Sequence, residues 1–384
     1  MKPRVAVVHP RLVAGGGSEA CVMWTLQALR DDCRLSLITT GSPDIPAMNA
    51  KYGTNLDPAE IDARCLPIPF GMKKRFDALR GFGLFRYCRR HAHEFDAMIS
   101  GYNGMDFGRP GIQRIADFSF DDALRRELHP ASGAAGGAFG RSLYLGLARL
   151  LEGGRADGWK RNLTLANSEW TRDLLRERFG VESRVVYPPV EGDFPEVPWA
   201  GREDGFVFIG RLVPEKGLGL VVDVLSRVRR ERDVHLHVVG RRGRTAYARE
   251  VEELCRRHGD WIRLEGEVYG PDKAALLAGH KFGLSGCRNE AFGIAVAEMV
   301  KAGEIVWVPS GGGQQEIVAR PGLIYSDPGE AARKILAVLA DPETQSAIRR
   351  GLGERTVLFS TAHFAEGMRD AVLGFLKENH AGSV

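Results

Sequence analysis

One pattern constrains this chain more than any other: short β-branched runs alternate with longer amphipathic stretches along its whole length. Strands separated by helix-length connections cannot pair as hairpins, so they pair in parallel with the helices laid over the sheet faces. The expected class is therefore α/β. In the first half, strands are expected at Arg4 to His9, Arg34 to Thr40, Asp96 to Gly101, Asn162 to Asn167 and Arg184 to Tyr187. In the second they are expected at Gly205 to Ile209, Val234 to Val239, Ile262 to Glu265, Phe282 to Ser285, Ile305 to Val308 and Leu323 to Tyr325.

The pattern occurs twice, and 384 residues suffice for two domains of ordinary size. Between the halves, Tyr187-Pro188-Pro189-Val190 leads on to Pro195 and Pro198. Prolines this dense continue neither a helix nor a central strand, so the passage reads as an interdomain linker. Ligands of open α/β sheets bind at the carboxyl ends of the strands, which makes the cleft between two such domains the expected site.

Charge and cysteines narrow the partners. A net charge of +4 gives no reason to expect nucleic acid. From Lys73 to His93, however, there are seven basic residues and one acid, Asp77. Phe76, Leu79, Phe82, Leu84 and Phe85 lie among them, a composition suited either to an anionic lipid surface or to a solvated arginine-rich face. Gly81 and Gly83 are expected to interrupt any single helix there. The six cysteines lie far apart without metal-ligand spacing and read as reduced thiols. No stretch has the length of a membrane span, and Val5 to Val8 is too short for a signal-peptide core, so a cytoplasmic protein is expected.

Four segments carry chemistry. Ala14-Gly15-Gly16-Gly17-Ser18-Glu19 follows the first strand and precedes a helix over Ala20 to Leu29. Such a turn brings backbone N–H groups close to an anion, and reads equally as a plain tight turn. Gly210-Arg211 and Lys216-Gly217 follow the first strand of the second half, and an arginine fork beside a lysine suits a diphosphate. Asn289-Glu290-Ala291-Phe292-Gly293-Ile294 leads to Glu298, with Glu290 expected before a helix and Glu298 about two turns into it. Two carboxylates so placed can accept from sugar and ribose hydroxyls, or are an N-terminal helix acid and an exposed helix residue. A further glycine turn, Ser310 to Gly313, again stands between a strand and a helix. The segment Pro130 to Ser142, rich in Gly and Ala, is expected to be a mobile surface loop. His9, at the end of the first strand, reads as a core or rim histidine or as one facing the cleft. His235 and His237, which alternate on one strand, read as structural.

Together these segments, with Asn167-Ser168-Glu169-Trp170-Thr171 and Val185-Val186-Tyr187-Pro188-Pro189-Val190, resemble the retaining glycosyltransferases of family 4. The resemblance implies the GT-B fold, two Rossmann-like α/β/α domains facing a central cleft. It implies an acceptor-side domain over residues 1–187 joined by a C-terminal helix at 365–384, a linker at 188–204, and a nucleotide-sugar-binding domain over 205–364. The implied reaction moves a hexosyl unit from a nucleoside-diphosphate sugar to an acceptor hydroxyl, with retention and with neither metal nor cofactor. The donor's own phosphate oxygen then helps to deprotonate the acceptor.

By the same resemblance Arg211 and Lys216 bind the diphosphate, Glu290 the transferred sugar and Glu298 the ribose. Gly16, Gly210, Phe292, Gly293 and Ile294 line the donor, and Arg211, Lys216 and Glu290 are the catalytic set. Many relatives carry a histidine in a segment similar to Gln113 to Ser119; here Ala116 and Asp117 stand there, with Asp117 as the substitute sugar or acceptor contact. The usual Pro-Ser before the first glutamate is replaced by Gly286-Cys287. Similarity to the dolichol-pathway mannosyltransferases points to GDP-mannose, with a UDP-sugar as the other donor. The acceptor is unspecified: a lipid-linked glycan, a lipopolysaccharide core or a small natural product. A lipid-linked one would be met at the inner face of the cell membrane. The competing reading is a catalytically degenerate nucleotide-sugar-binding subunit that regulates a partner.

Overall fold

The computed structural model describes residues 1–12, 15–67, 77–130, 155, 157–241 and 245–381. Their contacts divide the chain into two units. The first comprises the described residues within Met1–Arg125, Ala134–Pro189 and Thr361–Val384, the second those within Arg126–Gly133 and Val190–Ser360.

Among the described residues the first unit is built on seven strands: β1 (Arg4–His9), β2 (Arg34–Thr40), β3 (Ile61–Leu66), β4 (Ala97–Ser100), β5 (Ile112–Ile115), β6 (Leu163–Ala166) and β7 (Ser183–Val185). All pair in parallel in the order β3-β2-β1-β4-β5-β6-β7. Helices α1 (Gly17–Leu29), α2 (Ile45–Tyr52), α3 (Asp77–His91), α4 (Asp122–Leu128) and α5 (Glu169–Phe179) connect or flank them. Val5 to Val8 are wholly buried, as a central parallel strand covered on both faces requires.

Two strands, β3 and β5, carry too little apolar signal to read from sequence. β3 lies at the sheet edge, and of its residues only Ile61 is buried. β5 buries Gln113 and Arg114, and Gln113 is satisfied by Thr164 Oγ1 at 2.9 Å and by the Asn162 amide at 2.8 Å. The interruption expected at Gly81 and Gly83 does not occur: α3 runs unbroken through both. A Cβ at either glycine would meet nothing within 4 Å, so they face open space. Leu84 and Cys88 are fully buried and anchor the helix, offsetting the cost of about 1 kcal/mol per glycine. Leu84 and Phe85 pack toward the core, so lipid contact would have to come from other residues of this stretch. Lys73, Lys74, Arg75 and Phe76, like residues 131–142 of the Gly/Ala-rich segment, lie outside the described residues.

Among its described residues the second unit holds a six-stranded parallel sheet, β8 (Glu203–Ile209), β9 (His235–Val239), β10 (Ile262–Gly266), β11 (His280–Leu284), β12 (Ile305–Pro309) and β13 (Ile324–Tyr325), in the order β10-β9-β8-β11-β12-β13. Its helices are α6 (Leu218–Val228), α7 (Ala246–Arg257), α8 (Gly270–Gly279), α9 (Ile294–Lys301), α10 (Gln314–Val318), α11 (Pro328–Leu339) and α12 (Pro342–Arg355). Within the passage expected as the interdomain linker, Val190 is held by two hydrogen bonds. Its N–H donates to the Phe359 carbonyl at 2.9 Å, and its own carbonyl accepts from Lys301 Nζ at 3.0 Å.

The last helix, α13 (Thr361–Ala381), belongs to the first unit. Its stripe Phe364, Met368, Val372 and Phe375 is buried in the same core as Val22, Leu26 and Leu29 of α1. Arg369 of α13 pairs with Asp32 at 2.7 Å. Both sheets reverse direction beside their first strand, between β1 and β4 and between β8 and β11. Ligands of doubly wound sheets bind outside the carboxyl ends at such a switch point.

Candidate active site

At the switch point of the second sheet, β8 delivers Gly210, Arg211 and Lys216, and β11 delivers the loop from Ser285 to Gly293. Two glycines bring these loops together. Gly217 has φ +66°, and a Cβ on it would overlap the Gly286 carbonyl; a Cβ on Gly286 would overlap the Gly217 carbonyl in turn. Only a pair without side chains permits that approach. It accounts for a glycine at 286, and it carries Lys216 against Glu290.

Lys216 Nζ donates to Glu290 Oε2, and the two side chains are only 22% and 24% exposed. Burial works against the lysine's charge, but the facing carboxylate outweighs it and raises the Lys216 pKa. Burial likewise opposes ionisation of Glu290, and Lys216 overrides it, so the carboxyl is held below its usual range. Both groups stay charged near neutrality. Burial and then the Glu290 charge push the adjacent Cys287 thiol up to about 12, which removes it as a nucleophile.

The glycine turn after β12 fixes Glu290 from behind. Gly312, at φ +80°, lies where a Cβ would overlap the Glu290 backbone, and the Gly313 N–H donates to the Glu290 carbonyl at 2.8 Å. The fully buried Gln314 donates to the Cys287 carbonyl and accepts from Ser285 Oγ at 2.8 Å. The sequence marks this turn as strand-to-helix but carries no sign that it holds the backbone of a glutamate some twenty residues earlier in the chain.

Gly293 precedes α9 with φ +102°, leaving Ile294 as the first helical residue. The aligned N–H groups of this helix start make a site for an anion. Glu298 is the fifth residue of α9, so it lies just over one turn in and not two. Nor is it an exposed helix residue: its side chain is mostly buried, and Oε1 accepts from Lys273 Nζ of α8 at 2.7 Å. Lys273 was not legible in the sequence, because nothing local ties it to Glu298. Phe292 is buried with its ring 6.4 Å from that of Phe359, so its side chain is committed to packing. Arg211 is 72% exposed, with Glu215 4.0 Å away.

Gly16 and Asp117 belong to the first unit. Gly16 precedes α1 in extended conformation; Tyr52 pins the turn, accepting from the Gly15 N–H at 2.8 Å and donating to the Gly16 carbonyl at 3.2 Å. Asp117 accepts from Tyr102 at 3.1 Å, from the Asn103 amide at 2.9 Å and from the Ser119 N–H at 2.9 Å. Three donors on one carboxylate make it a brace for the loop after β5. His9 is buried with no hydrogen-bond partner on either ring nitrogen among the described residues, and burial lowers its pKa.

Residues 203–341 match the family model described as "Glycosyl transferases group 1". That segment is a glycosyltransferase group 1 domain. It contains Gly210, Arg211, Lys216, Glu290, Phe292, Gly293, Ile294 and Glu298. A GDP-Man:Man(3)GlcNAc(2)-PP-Dol alpha-1,2-mannosyltransferase from Dictyostelium discoideum is 26% identical over 228 residues, covering 53% of this chain. The chain spans about half, 45%, of that protein's length. Among solved structures, Anabaena Alr3699/HepE in complex with UDP and glucose superposes with TM-score 0.69 at 16% identity, covering 97% of this chain and all of the other. A glycosyltransferase from Rickettsia africae superposes with TM-score 0.65 at 16% identity, covering 98% of each chain. The two parallel sheets with their helices are those of the GT-B glycosyltransferase fold. No helix among the described residues is long and apolar enough to cross a membrane.

Proposed function

We propose that this chain transfers a hexosyl unit from a nucleoside-diphosphate sugar to an acceptor hydroxyl with retention of anomeric configuration. The observation that carries the reading is the buried Lys216–Glu290 pair at the switch point of the glycosyltransferase domain, beside the start of α9. A cation poised on a carboxylate can be shared with a diphosphate, while the exposed Arg211 is within the same strand-end loop to fork onto it.

In this reading the diphosphate lies over the N–H groups that begin α9, and Lys216 and Arg211 neutralise the charge that grows as the glycosidic bond breaks. Glu290 positions the sugar. Glu298 holds the ribose through the oxygen that Lys273 leaves available. The C1–O bond to phosphate breaks, a C1–O bond to the acceptor forms on the same face, and the acceptor proton passes to the departing phosphate oxygen. Cations at 211 and 216 take the place a divalent ion would otherwise fill, so added magnesium or manganese is expected not to raise the rate.

GDP-mannose is the favoured donor, supported by likeness to a mannosyltransferase; a UDP-sugar is the alternative, supported by the UDP-bound neighbour. The acceptor is a hydroxyl compound, and a lipid-linked one would be met by peripheral contact with an anionic membrane through the basic stretch from residue 73 to 93. Thermal shift against a panel of nucleotide sugars, followed by the mass of the product, tests the reading. It fails if no nucleoside-diphosphate sugar stabilises the protein.

A further inference from the structure

At the opposite, amino-terminal edge of the second sheet, side chains from three adjacent strands converge. Glu203 opens β8, His235 opens β9 and His280 opens β11, with β8 between the other two. His237 lies two residues along β9 and so shares a face with His235. Gly205 of β8 stands in register with His235, and a Cβ there would overlap the His235 imidazole. A central strand lacking a side chain at that point is what lets rings from both flanking strands meet above it. The ring centroids are 4.4 Å apart for His237 and His280, 5.2 Å for His235 and His237, and 5.5 Å for His235 and His280.

The hydrogen bonds of these rings are ordered in a particular way. His280 Nδ1 lies 2.7 Å from the Leu276 carbonyl, which can only accept, so the proton resides on Nδ1 and the Nε2 lone pair is free. His237 Nδ1 lies 2.6 Å from Glu265 Oε1, which fixes the same tautomer. His237 and His280 are 5% and 3% exposed, yet Nε2 of all three histidines has no hydrogen-bond partner among the described residues. Leaving the two buried acceptors of His237 and His280 unmet is costly unless something electrophilic binds them.

Glu203 supplies the remaining oxygen, with Oε2 3.3 Å from His235 Nε2 and 4.0 Å from His280 Nε2. One ligand atom from each of the four residues lies within 4.8 Å of the others. Tetrahedral ligands at about 2.0–2.1 Å from an ion stand about 3.3 Å apart, so modest side-chain rotations close this set. We propose that Glu203, His235, His237 and His280 form a closed four-ligand site for a divalent transition-metal ion of the zinc class, tying β8, β9 and β11 together. Three imidazoles disfavour magnesium and calcium, and four protein ligands leave no open position, so the role is structural. Glu265 on His237 and the Leu276 carbonyl on His280 are the outer partners such ligands require. The site stands independently of the donor-site reading, since it uses none of the same residues.

Cobalt(II) titrated into the chelator-treated full chain tests this, read by visible absorption and by thermal melting. The expected result is one equivalent bound with the intense absorption of tetrahedral cobalt, a saturating rise in Tm, and displacement by zinc. Glu203→Gln and His235→Gln, both partly exposed and so tolerated by the fold, should each weaken binding at least about tenfold. His280→Gln should abolish the tetrahedral spectrum. Absence of stoichiometric uptake by the wild-type chain, or uptake unchanged in folded Glu203→Gln and His235→Gln, would overturn the proposal.

Discussion

The Lys216 ammonium rests on the Glu290 carboxylate in a pair about three-quarters buried, held there by the contact of Gly217 with Gly286. Removing one partner strands the other charge in a poorly solvated place. Glu290→Gln and Lys216→Met should each destabilise the chain by about 1–3 kcal/mol, while the double variant recovers part of that loss. Denaturant melts arranged as a double-mutant cycle measure the coupling; purely additive losses would mean that the pair contributes nothing.

The glycine contact makes a sharper test of the local fold. Gly286→Ala forces a methyl into the Gly217 carbonyl, so a loss of about 1–3 kcal/mol is expected, with weaker donor binding as Lys216 is displaced. Gly219 lies inside α6, where an added methyl would meet nothing within 4 Å, and Gly219→Ala should stabilise by up to about 1 kcal/mol. The two substitutions should move the melting curve in opposite directions, and shifts of the same sign would contradict the steric assignment.

Strand positions and the α/β class were legible because buried parallel strands are nearly continuous apolar runs, as in Val5 to Val8. β5 was hidden because its buried Gln113 and Arg114 break that run, and Gln113 is satisfied by residues far along the chain. The helix through Gly81 and Gly83 was hidden because tertiary burial of Leu84 and Cys88 outweighs local propensity. Arg211, Lys216, Glu290 and Glu298 are candidates by their place after strands and by the family resemblance, whereas the pairing of Lys273 with Glu298 and the contact of Gly312 with the Glu290 backbone are products of packing between elements. The helix start at Ile294, set by the positive φ of Gly293, puts Glu298 about one turn nearer the amino-terminal end of α9 than spacing alone implied.

Lys273 gives Glu298 a partner that fixes its rotamer. If Glu298 holds the ribose, it does so equally in the ground and transition states. Glu298→Gln and Lys273→Met should then both raise donor KM severalfold with kcat little changed. Steady-state kinetics with the identified donor distinguish this from a catalytic role, which would lower kcat.

Glu304 is buried with no hydrogen-bond partner on either carboxylate oxygen among the described residues, and burial raises its pKa well above 4.5 despite the nearby Arg202. The folded state therefore holds a proton that the unfolded state releases. Stability from this group is present below the unfolded value and declines as pH rises above 4.5 toward the folded one. Glu304→Gln should remove that decline, so the variant is the more stable protein at pH 8. Parallel melting curves for the two proteins between pH 5 and pH 8 would contradict it.

Lys216 and Arg211 are assigned the stabilisation of a departing diphosphate. Release of nucleoside diphosphate from the active donor, followed at varied donor concentration for wild type, Lys216→Ala and Arg211→Ala, tests this most directly. The expected result is a fall in kcat of roughly a hundredfold for each variant, with a smaller change in KM. Variants that keep the wild-type kcat and differ only in donor KM, or not at all, would contradict it.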